Sequence, residues 1–346
     1  MGLKLYSAPS NIALIKYMGK TNSKDNLPTN TSLSYTLEHL RTFVTIEKIS
    51  TTNDSNSNLT DQWQPLSQSE FNALDNSSVN TNSKKLYPLE LSEKGKSKFL
   101  NHLNYLKDLA QVKDSFLIKS ANNFPSDCGI ASSSSSFAAL TVAAMSEFQK
   151  LSSLELDLSP SYLSSLSRKG SGSSCRSFFS PWCAWQKDRG FAKSFALKDL
   201  HHLVLLLDVE KKEVSSSEAH LRVTTSPIFK QRLDVIENRY EHLVQAMEKQ
   251  DWPLIRSICG VEFEEMHQLF ETSVPAFSYR SDNTFKVLKE LKSLEATYVK
   301  TAPLVTMDAG SNIHLLFRSE DLSLAKQYAE LFKQYNSINS WDGSHE

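Results

Sequence analysis

Apolar positions along this chain form short buried runs and longer helical stripes, with no strict alternation of strand and helix. Asn11 to Ile15 is short and mostly apolar, which predicts a buried strand. Arg41 to Ile49 carries Phe43, Thr45 and other β-branched residues and predicts another. Phe99, Leu103, Leu106 and Ala110 recur at helical spacing, and Ser115 to Ser120 reads as extended. Phe137, Leu140, Ala144 and Phe148 mark one face of a helix opened by a serine run. Further on, Leu203 to Leu207 predicts a buried strand, and Phe229, Leu233, Ile236, Tyr240, Leu243 and Met247 a long helix. Phe285, Leu288 and Leu291 mark one more helix. Pro303 to Met307 and Ile313 to Phe317 predict strands flanking the polar turn Asp308–Asn312. Such mixing predicts an α+β fold in two lobes rather than a parallel doubly wound sheet. Residues 50–83, rich in Ser, Asn, Thr and Asp, are expected to be a long mobile excursion.

Composition narrows the function classes. A length of 346 residues fits about two units at ~150 residues each. We expect them at 1–200 and 201–346. Lys plus Arg is 38 and Asp plus Glu is 39, a net charge of −1, which argues against a nucleic-acid binder. No apolar run reaches 18 residues, so no membrane span is expected. The opening Met1–Tyr6 is too short an apolar start for a signal peptide, and Tyr6 breaks the myristoylation pattern. Cys128, Cys175, Cys183 and Cys259 lack C-x-x-C spacing, so neither a zinc site nor a disulfide framework is indicated. A soluble, cytoplasmic protein is the expectation.

Four segments carry candidate chemistry. After its apolar run, the first strand delivers Lys16, Tyr17 and Lys20, as if aiming cations at an anion inside the fold. Asn122–Ala131 leads into Ser132–Ser136 and then a helix. Small residues at a helix start admit a ligand to the backbone, and free N–H groups there point at an anion. One serine suffices for a cap, so a run of five favours a phosphate loop whose hydroxyls serve phosphate or magnesium. Gly19-Lys20-Thr21 and Gly95-Lys96-Ser97 imitate the end of a P-loop, but Leu14 and Glu90 occupy the required earlier glycine. Gly170–Cys175 lacks the third glycine of a dinucleotide fingerprint and follows a helix-like stretch, which excludes a Rossmann site.

The Arg168–Ser177 segment concentrates donors, with a basic surface turn as the bland alternative. Within it, Arg176 sits among Cys175, Phe178 and Phe179, where a buried guanidinium needs a carboxylate or phosphate partner. Asp308 directly follows an apolar run. An Asx turn would explain it alone, but Lys16 is available as a buried counter-charge.

In family order along nearly the whole chain, these motifs resemble the mevalonate diphosphate decarboxylase family. Its superfamily includes galactokinase, homoserine kinase, mevalonate kinase and phosphomevalonate kinase. The resemblance rests on Asn11–Lys20, Leu27–Ser34, Asn123–Ser133, Arg168–Ser177, and Asp308-Ala309-Gly310 with Asn312. Weaker echoes lie at Glu210–Ser216, Thr225-Ser226-Pro227, and His267 with Pro275 and Tyr279.

The resemblance implies a small-molecule kinase fold, its N-terminal lobe like ribosomal protein S5 domain 2 and its C-terminal lobe ferredoxin-like. It further implies ATP with magnesium, usually a homodimer, and a carboxy-lyase that converts mevalonate 5-diphosphate to isopentenyl diphosphate. The family phosphorylates the C3 hydroxyl, then expels phosphate and carbon dioxide. By resemblance, Asp308 matches the acid on that hydroxyl, Lys16 the charge-stabilising lysine, and Arg176 the arginine on the departing carboxylate. Asn11, Tyr17, Lys20, Ser171 and Ser173 match substrate contacts, and Gly129, Ser132, Ser133 and Ser134 the ATP loop. No direct metal ligand is assigned.

Met18 stands where the family has Trp, Asp127-Cys128 for Ala-Ala, and Ser136 for Gly. Ser180-Pro181 replaces Gly-Gly, Ser217 and His220 replace bacterial Arg and Met, and Glu262-Phe263-Glu264 replaces Asp-Ser-Asn. The alternatives are action on a 5-monophosphate, a 3-kinase, or a silent nucleotide-binding protein.

Overall fold

The first apolar run lies inside a longer strand, Tyr6–Ile15 (β1), in a computed structural model that describes residues 2–49, 59–75, 85–87, 91–125, 130, 132–208 and 213–342. A small hairpin follows, Lys20–Asn22 (β2) with Leu27–Pro28 (β3), and then the 17-residue strand Ser32–Lys48 (β4). β1 runs antiparallel to β4 from Tyr6 opposite Val44 to Ile15 opposite Leu33.

Part of the expected excursion is folded. Gln62–Pro65 (β5) and Gln68–Leu74 (α1) return to the sheet. Trp63 donates its indole N–H to Ser120 Oγ at 2.9 Å, and Phe71 buries its ring against Phe43. A Ser67–Glu70 capping box starts α1. Three well-spaced apolar anchors, Trp63, Leu66 and Phe71, thus outweigh the polar composition around them. Residues 50–58 and 76–83 of that stretch lie outside the described residues.

Next come Glu93–Ala110 (α2), Phe116–Asn122 (β6), Ser132–Phe148 (α3) and Pro160–Gly170 (α4). Trp182–Gln186 (β7) and Arg189–Lys193 (β8) complete a six-stranded sheet of order β5-β6-β4-β7-β8, with β1 also on β4. Among the described residues of this sheet, only the β5–β6 pair is parallel. α2, α3 and α4 cover one face through Phe99, Leu103, Phe137, Leu140 and Leu163.

The second half contributes Leu200–Leu206 (β9), Ser216–Arg222 (α5), Phe229–Glu248 (α6), Trp252–Glu271 (α7) and Asp282–Thr297 (α8). Leu304–Thr306 (β10), Ile313–Arg318 (β11), Leu322–Leu331 (α9) and Asn336–Asn339 (β12) follow. Its sheet is antiparallel in the order β10-β11-β9-β12. One apolar core joins both halves, with Ile12, Leu33 and Trp182 meeting Val204, Ile236 and Ile255. Such a shared core fixes the base of any cleft between them. Among the described residues, no helix is long and apolar enough to cross a membrane.

The end of α4 approaches α3 and α2 very closely. A Cβ at Gly170 would stand 2.1 Å from Phe137 Cδ1 and 2.9 Å from His102 Cγ. Gly170 is therefore demanded by packing, and it sets the turn that follows against the start of α3. We predict that Gly170→Ala destabilises the protein by roughly 1–3 kcal/mol, the usual cost of overpacking. A urea midpoint equal to wild type would show that the helices can separate freely there.

Candidate active site

A cleft of about 380 Å³ opens between the halves, a size suited to a small ligand. β1 delivers Lys16 into it one residue past the strand end, with the side chain 1% exposed. Its Nζ donates to Ala13 O at 2.5 Å and to Asp308 Oδ1 at 2.8 Å. Asp308 sits two residues beyond β10, in a turn closed by Gly310 N–H on its carbonyl at 2.8 Å. The pair expected from sequence is thus formed across 292 residues of chain, joining the two halves.

Tyr17 lies between Trp185 and His220, with ring centroids 4.5 and 4.2 Å away. Its hydroxyl has no hydrogen-bond partner among the described residues, and burial pushes its pKa up, so it stays a donor. Gly172 makes room for it, since a Cβ there would stand 2.8 Å from the hydroxyl. Lys20 donates to Asn26 Oδ1 at 2.7 Å. Burial, and then the charge of Lys98, bring Lys20 down to about 8.

Arg176 occupies the 3₁₀ turn Gly172–Phe178 and is 3% exposed while lining the cleft. Its Nε donates to Asn11 Oδ1 and its Nη1 to Ser32 Oγ, both at 3.1 Å, with its guanidinium 5.8 Å from the Trp185 ring. Both partners are neutral, and no carboxylate pairs with it among the described residues. Asn11 is placed behind Arg176, where it also donates to Ser177 Oγ at 2.9 Å.

Consecutive serines on α3 face different ways, as 100° per residue requires. Ser132, Ser133 and Ser136 line the cleft. Ser134 is wholly buried and meets Ser173 Oγ at 2.5 Å, and Ser135 turns inward to Thr42 Oγ1 at 2.7 Å. Ser171 donates to Ser133 Oγ at 3.3 Å, so the two serine segments are stitched together. Gly129, together with Asp127 and Cys128, lies outside the described residues.

Other wall residues escape a reading of motifs. Lys94 and Lys98 from α2 line the cleft, although an i, i+4 lysine pair ordinarily marks only a solvated helix face. His220 accepts the Gly19 N–H at 3.1 Å, and burial holds its pKa well below normal, so it is a neutral wall and not a cation. Met18 fills its site fully against Val223, Met266 and Phe270. His267 lies wholly buried beside Lys16 and Asp308, pushed by burial down to about 3 and therefore neutral.

Because Lys20 loses its proton near pH 8, its help to an anion is present below that pH and fades above it. Affinity for inorganic diphosphate, measured by calorimetry, should fall between pH 7 and 9.5. Lys20→Arg should flatten the fall, and an equal fall in both proteins would remove Lys20 from the anion site.

Residues 8–196 match the family model described as diphosphomevalonate decarboxylase-like N-terminal domain, and residues 202–345 the mevalonate 5-diphosphate decarboxylase C-terminal domain. The diphosphomevalonate decarboxylase of Saccharomyces cerevisiae is 31% identical, over 97% of this chain and 82% of its own. The solved mevalonate diphosphate decarboxylase of Legionella pneumophila is 39% identical with a TM-score of 0.84, covering 97% of this chain and 100% of that one. The Enterococcus faecalis enzyme, described with a mevalonate diphosphate mediated ATP binding mechanism, is 25% identical with a TM-score of 0.77 and 98% coverage of both chains. A further similar structure, in complex with MVAPP, AMPPCP and magnesium, is 26% identical with a TM-score of 0.78, covering 98% of this chain and 96% of that one. The fold is that of the galactokinase, homoserine kinase, mevalonate kinase and phosphomevalonate kinase superfamily. With both halves matched and relatives aligned along nearly its whole length, the chain belongs to the diphosphomevalonate decarboxylase family.

Proposed function

We propose that the chain is an ATP-dependent carboxy-lyase that converts mevalonate 5-diphosphate to isopentenyl diphosphate. The observation that carries this reading is Arg176, a buried cleft cation held, among the described residues, by neutral groups and so left for a ligand carboxylate. Asp308 orients and deprotonates the C3 hydroxyl, and Lys16 steadies the charge around phosphoryl transfer. Once the C3 oxygen is phosphorylated, its C–O bond breaks with the electrons leaving on phosphate. The C–CO₂ bond then supplies the pair that forms the new C=C bond, while Arg176 grips the carboxylate until it departs. Phosphoryl transfer needs positioning and charge neutralisation more than covalent help, which suits this set of groups.

In the same reading, Tyr17, Lys20, Ser171 and Ser173 hold the substrate, and Asn11 acts by steadying Arg176. Lys94 and Lys98, which line the same cleft as Ser217, replace the cation missing there, which supports a diphosphate over a monophosphate tail. Ser132 and Ser133 face ATP from the first turn of α3, where Ser134 also lies, and Gly129 belongs to the ATP site by family resemblance. Among the described residues, no cluster of three His, Cys, Asp or Glu could hold a metal alone. Magnesium is compatible with that donor set, since it is commonly held by one carboxylate and substrate phosphates; Asp308 and the serine hydroxyls are the groups in reach of the role. Bound there, it would neutralise phosphate charge. The proposal places the lobes at 1–200 and 201–346, and it extends by family resemblance to a cytoplasmic homodimer.

With mevalonate 5-diphosphate, ATP and magnesium, ADP and carbon dioxide should appear in equimolar amounts. Asp308→Asn should lower turnover ~10²–10⁴-fold, the worth of a general base, with nucleotide binding retained. ADP without carbon dioxide would indicate a 3-kinase, and neither product with tight nucleotide binding a silent protein.

Arg176→Lys keeps the charge but loses two-point recognition of a carboxylate. Turnover and substrate affinity should both fall. Unchanged kinetics would reduce Arg176 to a structural cation.

A further inference from the structure

Lys16 lies one residue beyond the β1–β4 ladder, so the sheet does not secure its peptide groups. Two helices of the other half, together with Asn30 of its own half, do. Glu262 on α7, 0% exposed, accepts the Lys16 backbone N–H at 2.9 Å. Arg232 Nη2 on α6 and Asn30 Nδ2 donate to the Lys16 carbonyl at 3.4 and 3.0 Å. Behind this grip is a closed ring of four charges. Arg232 bonds Glu262 at 2.5 Å and Glu265 at 2.7 Å, while Arg239 bonds the same two acids from the other side.

A buried ion-pair ring is a weak device for stability, because well-packed apolar residues often do as well. Its distinctive effect here is geometric. Two arginines fix the Glu262 carboxylate, and its Oε1, while bonded by Arg232 Nη2, also accepts the Lys16 N–H. We infer that Glu262, held by Arg232 and Arg239, is a positioning residue that sets Lys16 against Asp308, and that α7 thereby fixes the phosphoryl-transfer pair. The inference rests on the proposed role of that pair. His267, one and a half turns further along α7 and buried beside Asp308, backs the other member of the pair.

The test compares Glu262→Gln, Glu262→Asp and a control, Glu295→Gln, which breaks the Arg256–Glu295 pair between α7 and α8 away from the cleft. Glu262→Gln removes the charge, and Glu262→Asp keeps the charge but shortens the reach. Both should lower kcat, by ~10–100-fold for Gln, the size expected from small misplacement of a reacting group. KM for both substrates should stay near wild type. Lys16, quantified by acetylation and peptide mass spectrometry against half-buried Lys107, should label several-fold faster in both variants than in wild type. Glu295→Gln should lower the melting temperature with kcat and Lys16 labelling unchanged. Wild-type kcat and wild-type labelling in whichever Glu262 variant folds would overturn the inference. So would a kcat loss of equal size in Glu295→Gln. A wild-type protein that releases no carbon dioxide would sink the decarboxylase reading, and the labelling comparison would still decide the clasp.

Discussion

The Lys16–Asp308 contact at 2.8 Å is the constraint around which the rest of the structure is arranged. Its lysine comes from the first strand of one half and its acid from the last hairpin of the other. Burying an ammonium is costly unless it is paired and hydrogen-bonded, and Lys16 is both, through Asp308 and the Ala13 carbonyl. The pair holds its geometry only if both halves keep their relative position. The shared apolar core beneath the cleft meets that need, since Ile12 and Leu33 pack into the same cluster as Val204 and Ile255.

Charge on this chain is local. The net charge of −1 says nothing about the cleft, where Lys16, Lys20, Lys94, Lys98 and Arg176 converge and Asp308 is the one acid among the described residues lining it. A concave, low-dielectric site of one sign focuses potential on its ligand, so a nearly neutral protein can still favour a polyanion strongly. Hydroxyls and the Tyr17 phenol add donors without adding to the mutual repulsion of the cations.

Much of this was legible in the sequence where spacing alone carries the signal. The β1 run, the α2, α3 and α6 stripes, the strands around Asp308 and the Lys16–Asp308 pairing all follow from local pattern plus the cost of burying charge. The serine run gave the right segment but not the division of labour, because helical rotation turns Ser134 and Ser135 away from the cleft. α7 went unread although Ile255, Cys259, Phe263, Met266 and Phe270 recur along it, since Glu262, Glu264 and Glu265 interrupt its apolar face. Glu262 looks like a departure from a motif when its partners Arg232 and Lys16 are 30 and 246 residues away. The fold inside residues 59–75 was hidden for a different reason, as three apolar anchors are too few to outvote polar composition.

Two buried arginines show how the same side chain is given opposite uses. Arg232 faces two carboxylates; burial works against its charge, but Glu262 and Glu265 outweigh that and hold its pKa above normal. Its charge is spent inside the protein, and what remains is geometry. Arg176 is nearly as buried yet is held by an amide and a hydroxyl, which orient a guanidinium without neutralising it. An uncompensated buried cation destabilises the folded chain, typically by several kcal/mol. Under the proposed function that cost is offset when the substrate carboxylate enters, and the attraction ends once the carboxylate becomes neutral carbon dioxide. A carboxylate in place of the Asn11 amide would stabilise the protein alone and remove the attraction that the proposed function needs.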